Sequence, residues 1–404
     1  MAMQLFTGKQ YLQMDVAGNF GLDNQDWDVR LQWFEDHKDN LEGLMKQAKE
    51  PALYYAAVQA WRDVEAGKPS GYPISLDATC SGLQILTVLT GDRLAAMLCN
   101  VLDAGYRADA YTSIYKSMTA KLGQEGFITR NKTKDAILTA LYGSEAIPKK
   151  VFGTGILLGT FFETMKEEAP AAWELNEMYL AIWDPSATMY SWILPDNFHV
   201  HCKVMGDLVE TVHFLDQPYD ISTKINTCVE KGRSLGANTT HSIDGMIVRE
   251  MVRRCSYDPK VVARVMEALN HKDGDIGNIG TKEDSRMVST LWCHYEATGY
   301  LSARILDHIR EGNLHLIKDR SVIWELIDSL PDRPFQLITI HDCFRCLPNY
   351  GNDLRKQYNL QLSLIAKSNL LSSIFSQLLG RKIEVNKQDN SMATEILNAN
   401  YALS

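Results

Sequence analysis

Apolar positions along the chain recur mostly three and four residues apart, the spacing that lines one face of a helix. Over residues 30–48, 52–66, 108–122, 131–141, 171–182, 244–255 and 291–312 this spacing predicts helices. Strand-like runs are fewer: residues 72–76, residues 192–193 with 198–203, and residues 335–340. The last, FQLITI, is rich in β-branched residues and bounded by Pro334 and the pair His341-Asp342, as a central strand ending in a functional turn would be. Residues 212–227 alternate well enough for a hairpin, and residues 271–286, polar and punctuated by glycine, predict a flexible insertion. There is no internal repeat or low-complexity tract. The pattern is that of a mostly helical α+β protein.

Composition narrows the class. With 404 residues, 45% apolar, 23% charged and 9% aromatic, the chain is an ordinary globular one, not a disordered tail or a fibre. Its length suits two or three domains, or one domain with large insertions. The longest apolar run, residues 151–162, contains three glycines and does not predict a bilayer span. The opening MAMQLFTGKQ lacks the basic-then-apolar order of a signal peptide, so a cytoplasmic setting is expected. Eight scattered cysteines suit reduced thiols, and the lone C-x-x-C at Cys343 and Cys346 suits packing better than zinc. A net charge of −9 argues against coating nucleic acid through bulk charge, but leaves room for a local basic channel.

Two aspartates stand out because each ends a strand-like run: Asp77 in PISLD and Asp342 in QLITIHD. Carboxylates on adjacent strand ends could hold two Mg²⁺ ions about 3.5–4 Å apart, an arrangement suited to phosphoryl transfer. Taken singly, an aspartate in such a place more often caps the following turn or helix. In TRNKTKDAILTALYGS, Arg130 and Lys134 stand four apart and share a helix face. Tyr142 lies eight residues beyond Lys134, roughly 12 Å along a helix axis, about the span from a triphosphate to a nucleotide sugar. Gly143 would end that helix. A solvated basic pair over a packed aromatic is the plainer alternative.

The order of these segments resembles the single-subunit RNA polymerases of phages and mitochondria. DATCSGLQ at residues 77–84 is similar to that family's D-G-S-C-S-G-x-Q; Arg130, Lys134, Tyr142, Gly143 and Ser144 follow at its spacing, then HSIDG at residues 241–245 and IHDCF at residues 340–344. Weaker likeness runs through residues 12–41, Asp109-Ala-Tyr111 and WILPDNFHV. The resemblance implies a right-hand polymerase fold of palm and fingers, with a helical lead-in over 1–70, palm over 71–92, fingers over 93–240 and palm again over 241–404. It implies that Asp77, Asp342 and the carbonyl of Ala78 hold two Mg²⁺ ions, and that Arg130 and Lys134 bind the triphosphate. Lys134 would also stabilise the departing pyrophosphate, and Tyr142 with His241 would favour a ribose bearing a 2′-OH. Tyr111 would be an active-site neighbour.

Related DNA polymerases carry a bulky glutamate five residues after the first aspartate, where this chain has Gly82, and a glutamate after the last His-Asp, where it has Cys343. Both differences imply RNA synthesis from ribonucleoside triphosphates on a DNA template, for phage genes in the cytoplasm of an infected bacterium. A DNA-synthesising palm polymerase and an inactive nucleic-acid-binding scaffold subunit are the alternatives. Family members place several hundred residues, including a thumb, an N-terminal domain and an Asp-x-x-Gly-Arg motif, before the first catalytic aspartate. Here Asp77 comes almost at once, which leads to the expectation of a split, heterodimeric phage enzyme whose smaller subunit supplies that part, aided by a single-stranded-DNA-binding accessory protein. HSIDG and IHD stand 100 residues apart, farther than in the family, so much of residues 256–334 is expected to be a palm insertion. Where the family has a promoter-reading hairpin, residues 212–227 offer few base-reading side chains besides Gln217, Lys224 and Asn226.

Overall fold

Capping residues set where the first helices begin. In α1 (Gly8–Ala17) the Thr7 side chain accepts from the Gln10 amide, and the Gln10 side chain accepts from the Thr7 amide, so two helix-end donors are satisfied reciprocally. The computed structural model describes residues 2–123, 128–270 and 280–404. The helix expected over residues 30–48 is α2 (Trp27–His37) followed by two 3₁₀ turns; a Cβ on Gly43 would come 2.3 Å from Asn40 Oδ1, a fit that the tight turns require. α3 (Pro51–Glu65) begins on a proline, whose missing N–H costs nothing in a first turn.

β1 (Ile74–Asp77) then leads into α4 (Ser81–Thr90), every residue of which is buried. α5 (Arg93–Leu98), α6 (Ala110–Leu122), α7 (Arg130–Ala140), α8 (Ala146–Phe152), α9 (Ile156–Glu168) and α10 (Pro170–Ala181) follow. The apolar run at 151–162 is the end of α8 and the start of α9, split by Gly153 at φ 73. Two antiparallel ribbons come next: β2 (Met189–Ile193) with β3 (His199–Lys203), and β4 (Met205–Phe214) with β5 (Gln217–Asn226). The second is longer than the hairpin expected over residues 212–227.

α11 (Ser234–Cys255) starts ten residues before the helix expected at 244, so HSIDG lies inside a helix and the boundary at 240 falls within it. α12 (Pro259–Asn270) and α13 (Lys282–Thr298) follow; Gly299, left-handed at φ 72, stops α13 and cuts short the helix expected over 291–312. Of the expected flexible insertion, residues 271–279 lie outside the described residues, and its end opens α13. α14 (Ser321–Asp328), β6 (Ile338–Ile340), β7 (Cys343–Cys346), α15 (Gly351–Lys367), α16 (Leu370–Leu379) and α17 (Met392–Ile396) complete the chain.

β1, β7 and β6 form one antiparallel sheet in that order. This corrects the expectation that residues 335–340 form a central strand: only Ile338–Ile340 is extended, at an edge, and β7 is central. Ile338 and Ile340 are exposed, so burial does not support a longer strand. Cys343 and Cys346 belong to β7, where residues three apart point to opposite faces; Cys346 is buried, Cys343 half-buried, and all eight cysteines are free. α4 packs against α10, α11 and α15 in the main core, while Val265, Val288, Trp292, Ile305 and Ile323 centre a second core made by residues 257–330. Among the described residues no helix is long and apolar enough to cross a membrane.

Candidate active site

Antiparallel register brings the two aspartates together. Asp77 ends β1 opposite Cys343, and the Ala78 amide donates to the Asp342 carbonyl at 3.2 Å, so Asp77 and Asp342 stand on adjacent strand ends. β6 turns into β7 through only two residues, His341 and Asp342, and His341 takes a left-handed φ of 55°. That turn sets His341 Nδ1 2.7 Å from Asp342 Oδ1 and His341 Nε2 3.6 Å from Asp244 Oδ2. On α11, His241 and Asp244 are three apart and share a face; donor atoms of His241, Asp244 and His341 all lie within 4.8 Å of one another.

Charge is crowded here. Asp77 opens onto a cavity, yet the wall around it and the Asp342 carboxylate push its pKa up to about 6. Burial and the same neighbour raise buried Asp244 to about 6. The hydrogen bond to Asp342, with the surrounding carboxylates, raises His341. Two hard carboxylates whose mutual repulsion is not discharged, beside the backbone carbonyl of Ala78, match the donor chemistry of a divalent cation such as Mg²⁺.

The loop after Asp77 is held from within. Gln84, completely buried on α4, donates from Nε2 to Thr79 Oγ1, to the Cys99 carbonyl and to the Ala402 carbonyl, and its Oε1 accepts from the Tyr358 hydroxyl at 2.7 Å. Asn100 donates to Thr79 Oγ1 and to the Ala108 carbonyl. Residues 402–404 run antiparallel to this segment, with the Ser404 amide donating to the Asp77 carbonyl at 2.9 Å.

The opposite wall is basic. Thr129 caps α7 by accepting from the Lys132 amide, which places Arg130 in the first turn and Lys134 one turn on. Arg130 donates from Nε to Thr112 Oγ1 at 2.7 Å and from Nη2 to Asp109, itself the cap of α6. Burial pushes the Asp109 carboxyl up, but the bonds from Thr112 and Arg130 outweigh it and hold the carboxyl low. Lys134 Nζ sits 5.1 Å over the Tyr111 ring, and the Tyr111 hydroxyl lies 3.3 Å from Cys80 Sγ. α7 ends at Ala140, so Tyr142 stands in the following turn rather than on the helix; Gly143, at φ 81, completes that turn. The Tyr142 hydroxyl rests on Gly82, where a Cβ would come within 2.2 Å of it, and its ring lies 4.9 Å from that of His241.

One cavity of about 590 Å³ gathers Asp77, Ala78, Gly82, Tyr111, Arg130, Lys134, Tyr142 and Asp342. His241 does not line it and stands behind two residues that do, Tyr142 and His341. Arg107, Asp109 and Ser404 also line it; Asp109 was marked by sequence reasoning only within a weaker likeness, and Arg107 and Ser404 were missed. The Arg107 Nε donates to Ser404 Oγ at 3.0 Å, and burial lowers its pKa. A cap aspartate before α6 was legible; an arginine in a loop beside Ala108 gives no pattern.

Comparison with known proteins fits this geometry. A family model described as DNA-dependent RNA polymerase matches residues 6–152, a stretch that holds Asp77, Gly82, Tyr111, Arg130, Lys134 and Tyr142. The chain is 27% identical over 172 residues to a DNA-directed RNA polymerase of Pseudomonas phage phiKMV, covering 34% of this chain and 21% of that protein. It is 32% identical over 126 residues to a probable DNA-directed RNA polymerase of Neurospora crassa, covering 29% of this chain and 14% of that one. The chain thus spans well under a third of either relative, and Asp342 and His241 lie beyond the family match. Residues 6–152 of the chain are thus similar to the DNA-dependent RNA polymerase family.

Proposed function

We propose that this chain carries the catalytic centre of a DNA-directed RNA polymerase, joining ribonucleoside triphosphates to an RNA 3′ end on a DNA template, in the transcription of phage genes. The observation that carries this reading is the single cavity with the Asp77–Asp342 pair on one wall and Arg130 and Lys134 on the other. Two Mg²⁺ ions held by Asp77, Asp342 and the Ala78 carbonyl would supply activation of the attacking oxygen and neutralisation of the leaving pyrophosphate. The chain's own residues do the rest. Arg130, steadied by Asp109 and Thr112, keeps further guanidinium donors for the triphosphate, and Lys134, supported from below by Tyr111, stabilises charge building on the departing pyrophosphate. Tyr142 covers the sugar. Because Gly82 leaves room for its hydroxyl, the 2′-OH is accommodated and a sugar lacking it leaves a polar partner unpaired.

In hand terms, the β1–β7–β6 sheet with α4, α11 and α15 is the palm, α6 to α10 belong to the fingers, and the second core is the palm insertion. We further propose that the grip on the template–product hybrid comes from a second, smaller polypeptide. An acidic chain of this kind binds duplex DNA weakly by itself, so initiation uses a partner that presents single-stranded template. Primer extension tests this: an RNA-primed DNA template with Mg²⁺, ribo- against deoxyribonucleotides, with and without the co-expressed partner, and Asp342→Asn as control. Ribonucleotide-only extension that needs the partner and is lost in Asp342→Asn is expected. Full activity of the lone chain refutes the split arrangement; no extension under any pairing refutes the polymerase reading and favours a scaffold subunit.

A further inference from the structure

The β4–β5 ribbon is ten residues a side, roughly 33 Å long, and is anchored at its base, where Asn226 donates to the Thr188 and Val204 carbonyls. Its tip is a two-residue turn, Leu215-Asp216, with φ of 51° and 59°, the twist that closes a tight hairpin. Register sorts its side chains. On one face Asp207 takes bonds from Lys224 and Ser222, and Thr211 bonds Asp220, so these polar groups are satisfied within the ribbon, with Met205 and Val209 exposed beside them. The other carries Leu208, Val212, Phe214, Tyr219 and Ile221, each between 41% and 64% exposed. An isolated two-stranded ribbon is marginal in water, and such a stripe calls for a cover.

The charge says which cover. Residues 205–226 hold four carboxylates and one lysine, and that lysine is already bonded to Asp207. A ribbon so acidic repels phosphate, and a second copy would set like charge on like charge. Glu210 lies within the apolar face, paired across strands with Ile221, and among the described residues it has no ion-pair or hydrogen-bond partner. Any surface that buries the stripe must bring a cation to Glu210 or leave a buried charge unpaired, which is costly.

We propose that this face docks a protein, not DNA, through an apolar strip that carries a lysine or arginine opposite Glu210. The inference is independent of the polymerase reading. The test places a photo-crosslinking phenylalanine analogue at Val212 or Phe214 of the full chain, made in the cell that naturally contains it, with the same probe at Val209 on the opposite face as control. The expected result is a protein adduct whose crosslinked peptide pairs apolar residues with a lysine or arginine. Its yield falls at least tenfold in Glu210→Lys and less in Glu210→Gln, with the strand content of the chain unchanged. A nucleic-acid adduct, a dimer of this chain, an adduct indifferent to Glu210→Lys, or no yield above that from Val209 overturns the proposal.

Discussion

Single side chains in the cavity divide between chemistry and placement. If Lys134 stabilises developing charge, Lys134→Ala lowers kcat by about 10²–10³-fold, measured by single-turnover extension, since a lost donor to a developing anion costs roughly that much. Gly82→Glu would force the Tyr142 hydroxyl off its seat, and the expected loss is of ribonucleotide extension, read against Gly82→Ala. Asp77 and Asp244, both raised to about 6, hold more protons in the folded chain than in the unfolded one. Without metal their contribution is therefore full below about pH 4 and is lost as pH rises through about 6. Urea unfolding of the metal-free chain with EDTA, at pH 4.5 and 7.5, should show Asp244→Asn gaining on the parent at the higher pH; a pH-independent difference contradicts the sign. At this scale Asp77, Asp342, Arg130, Lys134 and Tyr142 were legible, because motif order marks them. Arg107 was not, because a loop cation brought in by tertiary packing leaves no periodicity.

Among elements, α7 was legible to within a residue at each end: Thr129 caps it and its apolar positions keep helical spacing. α4 and β7 were not. α4 is buried on all sides, so it lacks the polar stripe that marks an amphipathic helix, and β7 is four residues long, too short for alternation to register. Gln84 illustrates the same limit, since a glutamine reads as surface until its partners are known. Gln84→Met keeps the volume but strands the Tyr358 hydroxyl and frees the Asp77 loop from Cys99 and Ala402; a loss of about 2–4 kcal/mol is expected in chemical unfolding, at roughly 1–3 per orphaned buried group.

Across the whole molecule, two cores meet at a polar seam. Glu250 on α11 accepts from Ser302 Oγ at 2.5 Å and from the Ala303 amide at 2.9 Å, while Arg249 and Arg253 clasp buried Asp196. Ile323→Ala, at the centre of the smaller core, should cost about 2–5 kcal/mol and raise hydrogen exchange in α12 to α14 while leaving α4 and α15 protected. Uniform loss of protection would mean that the two cores unfold as one. The sheet whose strand ends carry Asp77 and Asp342 joins strands far apart in the sequence, and Tyr358 meets Gln84 across 274 residues. A ribosome adding about 5–20 residues per second must therefore work for tens of seconds after releasing β1 before its partner strand emerges. Through that interval the nascent chain carries an unpaired strand edge and only one of the two cavity aspartates, so on the proposed reading competence would arrive all at once, with the release of β7, and a product cut short before Asp342 is expected to extend no primer.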